Sequence, residues 1–391
     1  MAKIKMDAEI IKNLLDVDNR SLLFNEILNK LEDYGKLDLV HYQSFKINND
    51  LIPLIKIPKF MELDDVLYVK IFVGAQHNEY NGLFGTLQFL ENLKLHKFST
   101  KELIKENQLL MFFPLMNPHG FLYPSMDNKS GYYLKNGTNL NRYWRQLFAP
   151  EYENKKRELK VFPIPEQAQI LKQQLEKYWK KDHISMYFLD FHETSLLYKH
   201  LADLSLNLKE KSITYKFDHW LKEMIVKNIM NLYGIKWYRK PLFYKCKSDA
   251  DHKHARLSMK QIDLIYEKLQ EYMVANRDKL PFYFCHSQRS KSFCQKLAKN
   301  VYEKLRDTLW ETSYPSVDHH HDHGCLVMMN DATKRPNVYS MELENQKHFF
   351  NIFEEIEKSK LYPDYYQRKL KSINRSVKLV VQTISEMIKL F

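Results

Sequence analysis

The chain has 391 residues, 44% of them hydrophobic, and carries 60 lysines and arginines against 48 acids, a formal net charge of +12. The apolar residues are spread along the whole length, enough for a sizeable core, and no run of about 18 uninterrupted apolar residues marks a transmembrane helix. The lysines are scattered among acids instead of forming a tract, so a lysine-rich surface is expected, with neither nucleic acid nor membrane as a partner.

The first elements read as helical, with apolar positions at Ile10, Ile11, Leu14, Leu15, Leu22, Leu23, Ile27 and Leu31. Leu37–Lys46 and Leu51–Ile57 flank Asn48-Asn49-Asp50, a hairpin signal. Val66–Val73 is an apolar run short enough for a buried strand and ends at Gly74, ahead of a helical pattern from Asn81 to Leu95. Gln108–Met116 reads as a second buried strand, Pro165–Tyr178 as a helix, and Ile184–Phe191 as a third strand running into His192-Glu193-Thr194. The stretch 205–312 reads as mostly helical (Lys216–Tyr233, Met259–Asn276, Ser290–Trp310). Cys325–Met329 and Asn337–Leu343 follow as two more strands, and Arg375–Phe391 as an amphipathic terminal helix.

Alternating helix and buried strand predicts an α/β fold, a mixed β-sheet flanked by helices on both faces. No repeat or Pro/Gly-rich linker divides the chain, so a single domain over 1–391 is expected, with 205–312 a helical insertion walling the cleft. Cys246, Cys285, Cys294 and Cys325 lie far apart and read as free thiols. The N-terminus lacks the pattern of a secretory signal, which makes a cytoplasmic protein the expectation.

In open α/β sheets the working residues gather at the carboxyl ends of strands. Three such ends carry metal-ligand types: Gln76, His77 and Glu79 after the first buried strand, Asp190 and His192 at the third, and Glu342 and Glu344 on the last. A catalytic zinc takes three protein ligands, commonly two nitrogens and a carboxylate, and keeps one position open.

These residues stand in five ordered motifs: Gly74-Ala75-Gln76-His77-Asn78-Glu79-Tyr80-Asn81-Gly82, Asn117-Pro118-His119-Gly120, Asn136-Gly137-Thr138-Asn139-Leu140-Asn141-Arg142, Asp190-Phe191-His192 and Tyr339-Ser340-Met341-Glu342-Leu343. The series resembles the zinc carboxypeptidase family, with its aspartoacylase and succinylglutamate desuccinylase relatives. The resemblance implies one zinc ion with Glu79 and His192 among its ligands and Glu342 as the carboxylate that moves the proton of the attacking water. It also implies Asn141 and Arg142 as the pair that binds the terminal carboxylate of the substrate. Arginine suits that task because its planar fork grips a carboxylate with two parallel bonds.

The sequence departs from the family pattern in several places. In the ungapped frame the first-ligand slot holds Gln76, as in the peptidoglycan carboxypeptidases that set cell shape. With one residue lost, His77 becomes the ligand, and imidazole is the better zinc donor. Asn139 stands where the family has an aspartate, and the arginine that polarises the scissile carbonyl has no counterpart within Phe121–Leu134, leaving Lys129 or Lys135 as substitutes. Tyr314 is a candidate substrate cap, and Asp318-His319-His320-His321-Asp322-His323 a dense ligand cluster. The expected activity is a zinc metallocarboxypeptidase acting on a peptide or acyl-amino-acid with a free carboxylate. An N-acyl-amino-acid deacylase and a non-catalytic binding descendant are the alternatives.

Overall fold

The computed structural model describes residues 8–95, 106–144, 164–194, 259–310, 335–349 and 351–390, the short pieces 214–217, 253–256 and 316–318, and a few single positions between 202 and 234 and at 326. The expected Cys325–Met329 strand, most of Lys216–Tyr233, the His319–His323 cluster, Tyr314, Cys246 and Cys325 lie outside the described residues.

Two helices, α1 (Ala8–Leu15) and α2 (Arg20–Tyr34), lead into a hairpin of β1 (His41–Ile47) and β2 (Asp50–Ile57). Its turn sits on Asn48 and Asn49, with Asn48 at φ 55°, a left-handed conformation that asparagine tolerates. There follow β3 (Tyr68–Val73), α3 (Asn81–Lys94), β4 (Gln108–Phe113), the short α4 (Pro118–Leu122), α5 (Glu166–Trp179) and β5 (Ser185–Thr194). Next come β6 (Thr214–Phe217), β7 (Lys253–Arg256), α6 (Met259–Ala275), β8 (Phe282–His286), α7 (Lys291–Leu305) and β9 (Ser316–Asp318). The chain ends with β10 (Val338–Gln346), α8 (Ile352–Leu361) and the long α9 (Tyr365–Lys389).

Eight strands form one mixed sheet in the order β1-β2-β4-β3-β5-β10-β8-β9, antiparallel at the β1/β2 and β2/β4 pairs and parallel at β4/β3, β3/β5 and β8/β9. The expected α/β architecture is therefore present. β8 is a difference: it lies in the stretch read as helical, yet its five residues are all buried and it joins the main sheet. A short apolar run carries no period that separates strand from buried helix.

The chain divides into two compact units, residues 1–193, 283–304 and 316–391 in the first and residues 194–282 and 305–315 in the second. In the second, β6 and β7 pair antiparallel, and the Trp310 indole donates to the Lys279 carbonyl at 3.2 Å.

In the first unit the sheet is buried on both faces, which is why its central strands read as apolar runs and not as alternations. Val69, Ile71 and Val73 of β3 pack with Met111, Phe113 and Phe188 against Leu171 and Leu175 of α5. On the other face Phe72 stacks on Phe112 at 4.6 Å, and Phe89 of α3 meets Phe112 at 5.6 Å. Lys70, also fully buried on β3, donates to the Met387 and Ile388 carbonyls at 2.7 and 2.9 Å. A cation is favoured at that end of α9, where carbonyls lack helical partners. The terminal helix, expected from Arg375, begins ten residues earlier at Tyr365 and lies along α3.

That α3–α9 contact needs Gly85, because a Cβ there would lie 2.2 Å from Val380 Cγ1. We expect Gly85→Ala to cost about 1–3 kcal/mol through overpacking. Adding Val380→Ala should restore part of the loss, as measured by urea unfolding of the two single variants and the double variant.

Candidate metal centre

β3 and β5 are parallel neighbours, and the chain leaves β3 toward β4 on one side while β5 lies on the other. Such a reversal opens a crevice at the carboxyl ends of the strands. The loop after β3 enters this crevice by a sharp turn, with Gly74 and Ala75 carbonyls accepting from Met116 N and Asn117 N and Ala75 held at φ 47°. A left-handed alanine is strained and persists only where the surroundings fix it. Behind the loop, α3 starts close against β5: a Cβ on Gly82 would come within 2.6 Å of Phe191 Cβ, so the glycine of the motif is a packing requirement.

His77, Glu79 and His192 are buried, and each offers a ligand atom within 4.8 Å of the others. Glu79 Oε2 lies 2.8 Å from His192 Nδ1 and 3.8 Å from His77 Nδ1. Donors about 2.0–2.2 Å from a tetrahedral zinc stand roughly 3.4 Å apart, a spacing these two values bracket. Both imidazoles are backed through their other nitrogen. His77 Nε2 sits 2.8 Å from Asn139 Oδ1 and His192 Nε2 sits 2.8 Å from Asp190 Oδ2. Outer partners of this kind fix the tautomer and leave Nδ1 to a metal. His77 Nδ1 is buried with no hydrogen-bond partner among the described residues, so the donor set fits a metal ion.

Gln76 is engaged elsewhere. Its Nε2 donates to Asp190 Oδ2 at 2.5 Å and its Oε1 accepts from Trp144 Nε1 at 2.7 Å. It thereby braces the aspartate that backs His192. Of the expected carboxylate-binding pair, Asn141 is buried, with its Oδ1 accepting from Leu326 N at 3.0 Å and its Nδ2 3.2 Å from His192 Nε2. Arg142 instead lines a pocket of about 720 Å³, with one Nη1 bond to the Asn141 carbonyl. Lys129 lines the same pocket, while Lys135 lies against other hollows beside Asn48.

β10 starts alongside β5 through the bond from Met186 N to the Asn337 carbonyl, which brings Glu342 and Glu344 level with Asp190 and His192. Glu342 falls in one cluster with Asp190 and His192. Burial pushes both glutamates up, Glu344 well above the usual carboxylate range with the charge of Glu342 adding to it, while the charge of His192 works the other way on both. Glu344 Oε2 has no hydrogen-bond partner among the described residues. Burial works against charge on Glu79 too, but Lys347 and His192 hold it well below its ordinary value. His192 is pushed down by burial and raised well above its ordinary value by Asp190, Glu342 and Glu79. Burial keeps His77 low, hence neutral.

Sequence reasoning missed Lys347 and Tyr132. Lys347 Nζ lies 3.2 Å from Glu79 Oε1 and 3.0 Å from Asn78 Oδ1, a cation at the pocket wall. Tyr132 stacks on His77 at 4.2 Å and 7° and lines the same pocket. The only available signal for Lys347 was a lysine just past the carboxyl end of the strand bearing Glu342. Tyr132 had none, since stacking across 55 residues leaves no local pattern. Cys285 and Cys294 are buried and belong to no disulfide among the described residues.

The two histidine frames separate in calorimetric titration with zinc. We expect His77→Ala to weaken binding by more than the ~100-fold typical of an outer partner, and Gln76→Ala to fall within ~10–100-fold. The reverse order would make Gln76 the ligand.

No protein-family model and no curated protein matches the chain. Among solved structures it is similar to a metallo-carboxypeptidase from Pseudomonas aeruginosa in complex with (2-guanidinoethylmercapto)succinic acid, at 11% identity and a TM-score of 0.46, over 93% of this chain and 67% of that one. It is similar to thrombin activatable fibrinolysis inhibitor at 12% identity and a TM-score of 0.49, over 98% and 81%. A metallo-carboxypeptidase from Burkholderia cenocepacia follows at 11% and 0.44, over 92% and 66%.

Proposed function

We propose that the chain is a zinc-dependent hydrolase of the carboxypeptidase type. In this reading one ion is held by His77 Nδ1, Glu79 Oε2 and His192 Nδ1, and the reaction cleaves a C-terminal amide bond of a peptide or peptide-like substrate. One observation carries it: two imidazole nitrogens, each backed through its ring partner, converge with one carboxylate oxygen beside a pocket lined by Arg142. Two imidazoles and a carboxylate are a donor set that suits zinc and leaves a position open, with His192 giving up its Nδ1 proton when the ion binds.

When bound, the ion supplies Lewis acidity at the scissile carbonyl and makes water a stronger acid. The rest falls to the chain's own side chains. Arg142 holds the terminal carboxylate of the substrate in its planar fork, without help from Asn141, which is buried with its Oδ1 taken by Leu326 N. The Glu342–Glu344 pair accepts the proton of the attacking water and returns it to the leaving nitrogen. Lys347, fixed against Glu79 and Asn78, puts positive charge where the carbonyl oxygen becomes negative, the task left open by the missing arginine. Tyr132, packed flat on His77, keeps bulk water off that ligand.

The test is hydrolysis of blocked dipeptides by zinc-loaded protein, with zinc content measured on every variant. We expect Glu342→Gln and Glu344→Gln to keep the metal and each lose about 10²–10⁴ in kcat. Full activity in one of them assigns the proton to the other. Lys347→Met should lower kcat by about 10²–10³ with KM little changed. A wild-type protein that binds no zinc, or binds it and hydrolyses nothing, defeats the reading.

A further inference from the structure

The pocket beside the metal centre says which substrate it takes. Its lining carries three cationic residues, Lys129, Arg142 and Lys347, against one acid, Glu354. Lys347, bound to Glu79 at 3.2 Å, is assigned in the hydrolase reading to the scissile carbonyl, and Glu354 accepts from Asn351 Nδ2 at 3.1 Å and stands 4.0 Å from Lys358. The charges that remain for a ligand's carboxylates are Arg142 and Lys129, two cations lining a hollow whose other residues are mostly amides, hydroxyls and tyrosine rings.

The backbone under Lys129 is built, not loose. Lys129 and Ser130 have φ of 43° and 60°, consecutive left-handed conformations in residues other than glycine. Such strain survives only where the surroundings over-determine it, and it gathers at ligand clamps. Here the fixing bonds are several: Lys129 N to the Met126 carbonyl, Ser130 N to the Ser125 carbonyl, and Ile352 N to Ser130 Oγ. Asn78, inside the metal loop, donates to the Lys129 carbonyl at 3.3 Å, so this turn is tied directly to the ligand segment. Gly131 closes it against Gly120, where a Cβ would sit 2.1 Å from the Gly120 carbonyl oxygen.

We infer that the pocket selects a C-terminal acidic residue, glutamate or aspartate, with Arg142 taking the α-carboxylate and Lys129 the side-chain carboxylate. An acidic terminal residue presents two carboxylates to two cations, whereas a basic one meets like charge at Lys129 and an aliphatic one leaves it without a counter-charge. This assignment rests on the hydrolase reading for the α-carboxylate at Arg142, and its own content is the second anionic subsite at Lys129. Lys129 is exposed and lies 5.4 Å above the Tyr133 ring, so changing it leaves the fold alone.

The experiment is calorimetric binding of N-acetyl-glutamate, N-acetyl-leucine and N-acetyl-lysine to the full chain in zinc-containing buffer, with hydrolysis of blocked Gly-Glu, Gly-Leu and Gly-Lys dipeptides followed in parallel. We expect the glutamate compound to bind about 10-fold tighter than the leucine one and tighter still than the lysine one. Lys129→Glu should reverse the order of glutamate and lysine. Equal binding of the three compounds overturns the inference, and so does a glutamate preference that Lys129→Glu leaves intact. Selective binding of the glutamate compound without hydrolysis of any dipeptide supports the acidic subsite and sinks only the hydrolase reading.

Discussion

The buried carboxylate of Glu79 is the charge on which the site turns. Its Oε2 faces both histidine Nδ1 atoms and lies 3.3 Å from the Glu193 backbone N–H, while its Oε1 takes Lys347. Those contacts reach the loop after β3, the end of β5 and the chain just past β10, three strand ends far apart in sequence. A carboxylate out of water needs such partners, since its desolvation costs several kcal/mol when it is left alone. Satisfying Glu79 therefore aligns the very segments that carry the candidate metal donors.

Around it, among the described residues, acids outnumber bases. Glu79, Asp190, Glu193, Glu342 and Glu344 gather in a dry crevice with His192 and Lys347 as the cations beside them. Burial, then Glu79 itself, pushes Glu193 up to about 7, although it accepts from Asn81 N at 2.7 Å and His348 N at 3.2 Å. Excess negative charge in low dielectric is relieved either by taking up protons or by holding a cation. A divalent ion among the three candidate donors would relieve that imbalance. Lys347, bound to Glu79, is a buried cation that already offsets part of it.

The support for this arrangement is packing. Gly82 lets α3 begin against Phe191, one residue before His192, and Asn81 N at the start of the same helix is bound by Glu193, one residue after it. Trp144 closes the rear by bonding Gln76, and Gln76 with Asp190 orients His192.

Much of the fold was legible in local pattern. The apolar runs at Val66–Val73, Gln108–Met116 and Ile184–Phe191, the Asn48-Asn49 turn and the helical periods before and after them each obey a short-range rule, and each became the expected kind of element. β8 did not, because so short a run, Phe282–His286, has no diagnostic period. At the site, residue types and their order in sequence identified Glu79, His192, Glu342 and Arg142 as the groups to watch. The roles of Gln76, His77, Asn141, Tyr132 and Lys347 could not be read in the same way. Whether Gln76 or His77 turns toward Glu79 depends on a single left-handed residue, Ala75, and on Trp144 and Asp190 waiting to receive an amide. Asn141 faces inward because Leu326 N and His192 are there to meet it, and Lys347 matters only through its distance to Glu79. Sequence by itself determined which chemistries were available and along which strands they would lie. Tertiary structure alone decided which atoms meet, because side-chain direction in an irregular loop is set by partners a hundred residues away and not by its neighbours in the chain.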